Sequence, residues 1–157
     1  MEKLLSEVEI KELNKFGKLE LTASQVYLHL TNRMKSLGYF GAEKFFAGES
    51  KDERKHYANI ENFMNKMNCE LEVPTLGNVS ENVTNIKEAL ELAYKMELEL
   101  LKAYESCAKD PQLSVKVVLL LQEYVEIQVD AVGEYGDLLN RLALTTDMLL
   151  FDKELGN

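Results

Sequence analysis

Only two prolines, Pro74 and Pro111, occur in 157 residues. Proline removes a backbone donor and clashes with the preceding helical turn, so where it is absent helices can run long. Both prolines stand between stretches whose apolar residues recur every three or four positions, the period of an amphipathic helix. Eight glycines are likewise too few for a fold rich in tight turns. The pattern predicts an all-α chain of five helices, over residues 6–35, 40–68, 85–109, 112–143 and 148–155. The last follows the capping cluster Thr145-Thr146-Asp147 and ends at Gly156. One domain over 1–157 is expected, with the four long helices filling about 6–143 and the short fifth about 146–155.

The connections set the topology. Helices one and two are joined by a few residues around Leu37-Gly38-Tyr39, and helices three and four across Asp110-Pro111, so each pair is antiparallel. Between the pairs lie residues 69–84, which contain Pro74, Gly77, Asn78 and Asn82 and show no helical period. A helix of ~28 residues is ~42 Å long, and ~16 extended residues reach ~53 Å. The segment can therefore cross the whole bundle, and the expected architecture is a four-helix bundle with one long crossover loop. Its two Asn-x-Ser/Thr sequences, at Asn78 and Asn82, read as chance matches in a polar loop.

Charge narrows the partners. There are 27 acidic against 18 basic residues, a net −9. Nucleic acid and anionic membranes both require a basic face, so neither is expected as a partner, whereas cations are suited. The longest aliphatic run, Val117 to Leu121, is far too short to span a bilayer. The first residues lack the basic-then-apolar order of a secretory signal. Cys69 and Cys107 form neither a disulfide framework nor a CxxC pair. A cytoplasmic protein with free thiols is the expectation.

The core stripe of each long helix can be traced at helical spacing. It runs Leu13, Phe16, Glu20, Ala23, Tyr27, Leu30, Met34 in the first helix, and Ala42, Phe46, Glu53, His56, Ile60, Phe63, Met67 in the second. In the third it runs Ile86, Ala93, Glu97, Leu100, Tyr104, and in the fourth Val118, Leu121, Val125, Gln128, Val132, Tyr135, Leu139, Leu142. Every stripe is apolar or aromatic except near its centre. Midpoints of similar-length helices share one layer of a bundle, so Glu20, Glu53, His56, Glu97 and Gln128 would meet in the core. Buried carboxylates are costly unless protonated, paired or metal-bound, and no Lys or Arg falls on these stripes. A multivalent cation is the economical partner. His29 lies off the stripe and reads as a surface or interface residue.

At these residues the chain resembles the ferritins along nearly its whole length. The resemblance rests on Leu19-Glu20-Leu21 with Tyr27 seven residues on, Glu53-x-x-His56, Tyr94-Lys95-x-Glu97, Tyr124-Val125-x-x-Gln128 and the tail Phe151-Asp152-Lys153-Glu154-Leu155. It implies a ferritin-like bundle that self-assembles into a hollow shell of 24 subunits, oxidises Fe(II) with dioxygen as a ferroxidase and stores ferric mineral. It also implies two irons per subunit. Glu20, Glu53 and His56 would hold the first, Glu53 would bridge to the second, Glu97 would ligate the second, Gln128 would stand beside it, and Tyr27 would hydrogen-bond nearby. Oxygen and imidazole donors suit Fe(II).

The departures are specific. Bacterioferritins carry a second ExxH in helix four, where this chain has Val125 and Gln128, and a haem-ligating methionine after the helix-two glutamate, where this chain has Arg54. No haem is expected. Asp52 and Asp130 match two positions of the third iron site of prokaryotic ferritins, but Ile127 and Ala131 replace the others. Val118 and Leu121 stand where animal ferritins line a three-fold pore with acids. Two other readings are open at this point. One is a metal-free helical-bundle interaction protein whose stripe acids point outward. The other is a DNA-protecting mini-ferritin, disfavoured by the net charge and the lack of a Lys-rich tail. Burial of Met148-Leu149-Leu150-Phe151 in a subunit interface is expected, with docking of the fifth helix on its own bundle end as the rival.

Overall fold

The computed structural model describes residues 1–157. They form five helices and no strand: α1 (Glu7–Leu37), α2 (Phe40–Lys66), α3 (Ile86–Ala108), α4 (Val115–Ala143) and α5 (Met148–Leu155). The boundaries fall within three residues of those expected. The all-α, five-helix fold is as the sequence predicts.

Each helix start has a local or borrowed cap. Ser6 and Glu9 form a reciprocal capping box at α1, Asn85 accepts from the Glu88 amide at α3, and Asp147 accepts from the Leu150 amide at α5. The starts of α2 and α4 have no side-chain cap of their own. Carboxylates distant in sequence supply them. Glu9 Oε2 accepts from the Ser114 amide (2.8 Å) and hydroxyl (2.5 Å) at α4. Asp152 accepts from the amides of Gly41 (3.1 Å) and Ala42 (2.8 Å) at α2. Negative charge at a helix N-terminus satisfies free donors and opposes the helix dipole. Gly38, at φ 89°, takes the left-handed conformation that ends α1.

Packing fixes the helix directions. One buried apolar cluster joins Leu13 and Phe16 of α1 to Ile60 and Met64 near the end of α2, Leu100 and Tyr104 in the second half of α3, and Val117 at the start of α4. The other joins Leu30 and Met34 to Ala42 and Phe46, Ile86 and Leu90, and Leu142. Hence α1 and α4 run one way, and α2 and α3 the other. The segment between α2 and α3 must travel end to end, and it does: Leu71 is buried in the first cluster and Val83 in the second. His29 is half-buried and tied to this crossover, its Nε2 donating to the Glu81 carbonyl at 2.7 Å, while Arg33 donates twice to the Val83 carbonyl.

Three expectations need correction. In α2, Tyr57 and Met64 are buried, whereas Phe63 and Met67 are only half-buried. In α4, Val117 and Tyr124 are buried, whereas Val118, Val125, Val132 and Leu139 are half-buried. A 3.6-residue period forces a choice between steps of three and four, and the shorter step from Ile60 leads one residue off the face. The third correction concerns α5. Phe151 is buried in its own chain's core and Asp152 caps α2, while Leu149 and Leu150 remain exposed. The rival reading holds for Phe151. Gly41 makes room for it, since a Cβ there would lie 1.8 Å from the Asp152 carbonyl oxygen.

Candidate metal centre

Between the ends of the bundle the helices place a layer of polar side chains. Glu20 (0% exposed), Glu53 (4%), Glu97 (2%) and Gln128 (1%) come from α1, α2, α3 and α4 respectively, and His56, half-buried, sits one turn beyond Glu53. No lysine or arginine is buried in the chain. A bundle whose central acids face solvent is therefore not what this sequence folds into, and the outward-acid reading loses its premise.

One donor atom each from Glu20, Glu53 and His56 lies within 4.8 Å of the others. His56 Nδ1 is 3.2 Å from Glu53 Oε2 and 3.4 Å from Glu20 Oε2. Glu20 Oε2 has no hydrogen-bond partner, and neither has Gln128 Oε1. Unpartnered buried oxygens cost about 1–3 kcal/mol each, and a bound cation would satisfy the Glu20 oxygen. The donor set, carboxylate oxygen with one imidazole, fits a divalent first-row metal.

Glu97 shares the layer but stands outside that group of three. Tyr27 donates to its Oε1 at 2.5 Å, and Gln128 Nε2 donates to its Oε2 at 2.6 Å and its main-chain carbonyl at 3.1 Å. Asp52 and Asp130 are exposed, Asp52 lying 3.9 Å from Lys55, so neither joins the buried set. Leu121 is buried and Val118 half-buried, and neither offers an oxygen to an access path. Arg54 is exposed, its guanidinium over the Tyr57 ring.

Protonation is uneven across the site. Burial and the neighbouring Glu20 carboxylate push Glu53 far above the usual carboxylate range, with Glu97 adding to the effect. Burial also acts to raise Glu20, but the adjacent Glu53 carboxyl and His56 imidazole and the Tyr104 hydroxyl bound to its Oε1 outweigh it and hold Glu20 low. Burial pulls His56 down, and the Glu20 carboxylate more than compensates, leaving it raised. Without metal, the opposite shifts of the two carboxyls favour a proton on Glu53 rather than on Glu20.

Several partners were not singled out from sequence. Tyr104 donates to Glu20 Oε1 at 2.5 Å, Tyr124 to the His56 carbonyl at 2.5 Å and Tyr135 to Glu49 at 2.6 Å. Ser24 and Ser50 exchange hydroxyl-to-carbonyl bonds (2.9 and 2.8 Å) where α1 meets α2. A signal for two of the tyrosines was available. Tyr27, Tyr104 and Tyr135 each follow a central polar residue (Glu20, Glu97, Gln128) by seven positions, two helical turns along the same face.

A four-helix bundle with one end-to-end crossover and a buried carboxylate–imidazole centre is the architecture of di-metal carboxylate proteins. The sequence matches a family described as "Ferritin-like domain" over residues 10–145, and the chain belongs to the ferritin family, which places it in the general class of iron-storage proteins. It is 31% identical over 160 aligned positions to a ferritin of Pacifastacus leniusculus, covering 94% of this chain and 87% of that one. It is 26% identical to a probable bacterial non-heme ferritin-like protein of Haemophilus influenzae, covering 98% and 97%. The fold superimposes on an open pore ferritin of Archaeoglobus fulgidus with a TM-score of 0.91 at 20% identity, covering 96% of this chain and 97% of that one. No helix is long and apolar enough to cross a membrane.

Proposed function

We propose that this chain is a ferroxidase subunit of an iron-storage shell. Fe(II) is its substrate, and dioxygen the oxidant. Glu20, Glu53 and His56 bind the first ion, Glu53 bridges to a second that Glu97 also ligates, and Gln128 stands beside it. Two Fe(II) ions held there would together supply the two electrons that, with two protons, reduce one dioxygen to hydrogen peroxide. The single observation that carries this reading is two buried glutamates, Glu20 and Glu53, meeting one imidazole, with Glu97 buried in the same layer, no buried lysine or arginine and an unpartnered Glu20 oxygen.

The two positions are unequal. Glu20 presents a free oxygen, whereas both oxygens of Glu97 already accept hydrogen bonds. The first ion meets a prepared ligand and the second must displace a donor, so the second binds more weakly. Weak binding suits a product that must leave for the mineral.

Assembly into a closed shell of identical subunits completes the function, and the exposed Leu149 and Leu150 of α5 supply apolar surface for a neighbouring copy. Light scattering with an aerobic Fe(II) oxidation assay tests both halves. A large closed assembly with rapid Fe(III) formation, lost in a Glu53→Ala/His56→Ala variant, is expected. A monomer or dimer at micromolar concentration would exclude the shell, and undiminished oxidation in the variant would exclude the site.

A further inference from the structure

Tyr27 on α1 donates to Glu97 on α3, and Tyr104 on α3 donates to Glu20 on α1, both at 2.5 Å. The helices run in opposite directions, and in each the tyrosine follows its own helix's glutamate by seven residues. The two hydrogen bonds are therefore reciprocal, one on either side of the polar layer. The expected pattern includes only the first of them.

We infer that Tyr104 is a positioning residue of the metal centre: it occupies Glu20 Oε1 and leaves Oε2 as the one oxygen of that carboxylate free to ligate. The inference rests on Glu20, Glu53 and His56 binding the first ion. Tyr104 is fully buried, and its ring is stacked on Phe16 at 4.3 Å between centroids and tilted against Tyr124 at 5.2 Å. A ring held between two others keeps its hydroxyl in place. Glu20 Oε2, the oxygen it leaves alone, has no hydrogen-bond partner and faces His56 Nδ1 at 3.4 Å. At the other end of the reciprocal pair the second oxygen of Glu97 is taken by Gln128. The same tyrosine–glutamate bond thus yields an open ligand atom on α1 and a closed one on α3. Hydrogen bonds that orient a metal-binding carboxylate fix which oxygen it offers.

Co(II) added to the assembled protein is the probe, because its visible bands report coordination number. In Tyr104→Phe the freed carboxylate can bind through both oxygens. The bands should weaken and shift, as they do when coordination number rises, and first-ion affinity should fall about 10-fold. Tyr57→Phe removes the same hydroxyl from a tyrosine bonded to the Glu72 carbonyl of the crossover, and its spectrum should match the parent. Should Tyr104→Phe not fold, Tyr104→Met also lacks the hydroxyl and must give the same change. A parent protein that binds Co(II) at Glu20, with bands and affinity unaltered in either Tyr104 variant, overturns the role of Tyr104 and leaves the site standing. A parent that binds no Co(II) overturns the site and the inference with it.

Discussion

Glu53 lies buried beside the Glu20 carboxylate in a layer with no buried lysine or arginine, and burial together with that neighbour raises it far above the usual carboxylate range, so that it favours its proton. A cation must compete with that proton, because a carboxylate ligates only when ionised. Calorimetric titration of a divalent metal in buffers of different ionisation enthalpy should show net proton release as the first ion binds, from Glu53 and from whatever fraction of His56 is protonated, with affinity rising as pH rises. Proton-neutral binding at unchanged affinity across the acid-to-neutral range would contradict the assignment of the proton to Glu53.

Glu97 belongs to one side of the centre. Glu97→Ala removes a ligand of the second ion and leaves Glu20, Glu53 and His56 in place, so anaerobic Fe(II) titration of this variant should retain the first tight ion and lose the second. Equal loss of both would mean that the roles are wrongly divided.

The close approach of α5 to α2 makes Gly41 and Gly48 a matched pair. A Cβ at Gly41 would meet the Asp152 carbonyl oxygen at 1.8 Å, while one at Gly48 would meet nothing within 4 Å. Gly48→Ala should stabilise by about 0.5–1 kcal/mol through helix propensity. Gly41→Ala should destabilise by about 1–3 kcal/mol by displacing α5, and Asp152→Ala by about 1 kcal/mol through loss of the α2 cap. Thermal unfolding orders the three, and equal melting temperatures for Gly41→Ala and Gly48→Ala would refute the docking of α5.

Burial raises Glu49 to about 7, against the opposing hydrogen bond from Tyr135 and with help from Glu134. A carboxyl raised in the folded state stabilises below its unfolded value near 4.5, and that contribution is lost as pH climbs through 7. Metal-free protein should therefore lose up to roughly 3 kcal/mol between those limits from this group, and Glu49→Gln should flatten that part of the profile. An unchanged pH dependence of the melting temperature in the variant would place the loss elsewhere.

The parts legible in sequence are those where burial contradicts residue type. Glu20, Glu53, Glu97 and Gln128 were visible because each interrupts an apolar stripe at mid-helix, and all four prove buried. The crossover was visible because residues 69–84 lack a period. Tyr104 and Tyr135 were not singled out, because a tyrosine on a core stripe reads as packing until its hydroxyl is seen against a carboxylate. Glu49 lies off the traced stripe, and only the partner across the core explains its burial. The docking of α5 was hidden for a different reason. It depends on a missing Cβ at Gly41 and a cap from Asp152, residues far apart in sequence whose meeting no local pattern encodes.

Anomalous diffraction at the iron edge, from crystals soaked anaerobically with Fe(II), tests the metal centre most directly. The expected result is a strong peak bonded to Glu20 Oε2, Glu53 and His56 Nδ1, with a weaker second peak between Glu53 and Glu97. Iron found only on exposed acids such as Asp52 and Asp130, with no peak among Glu20, Glu53 and His56, would contradict it.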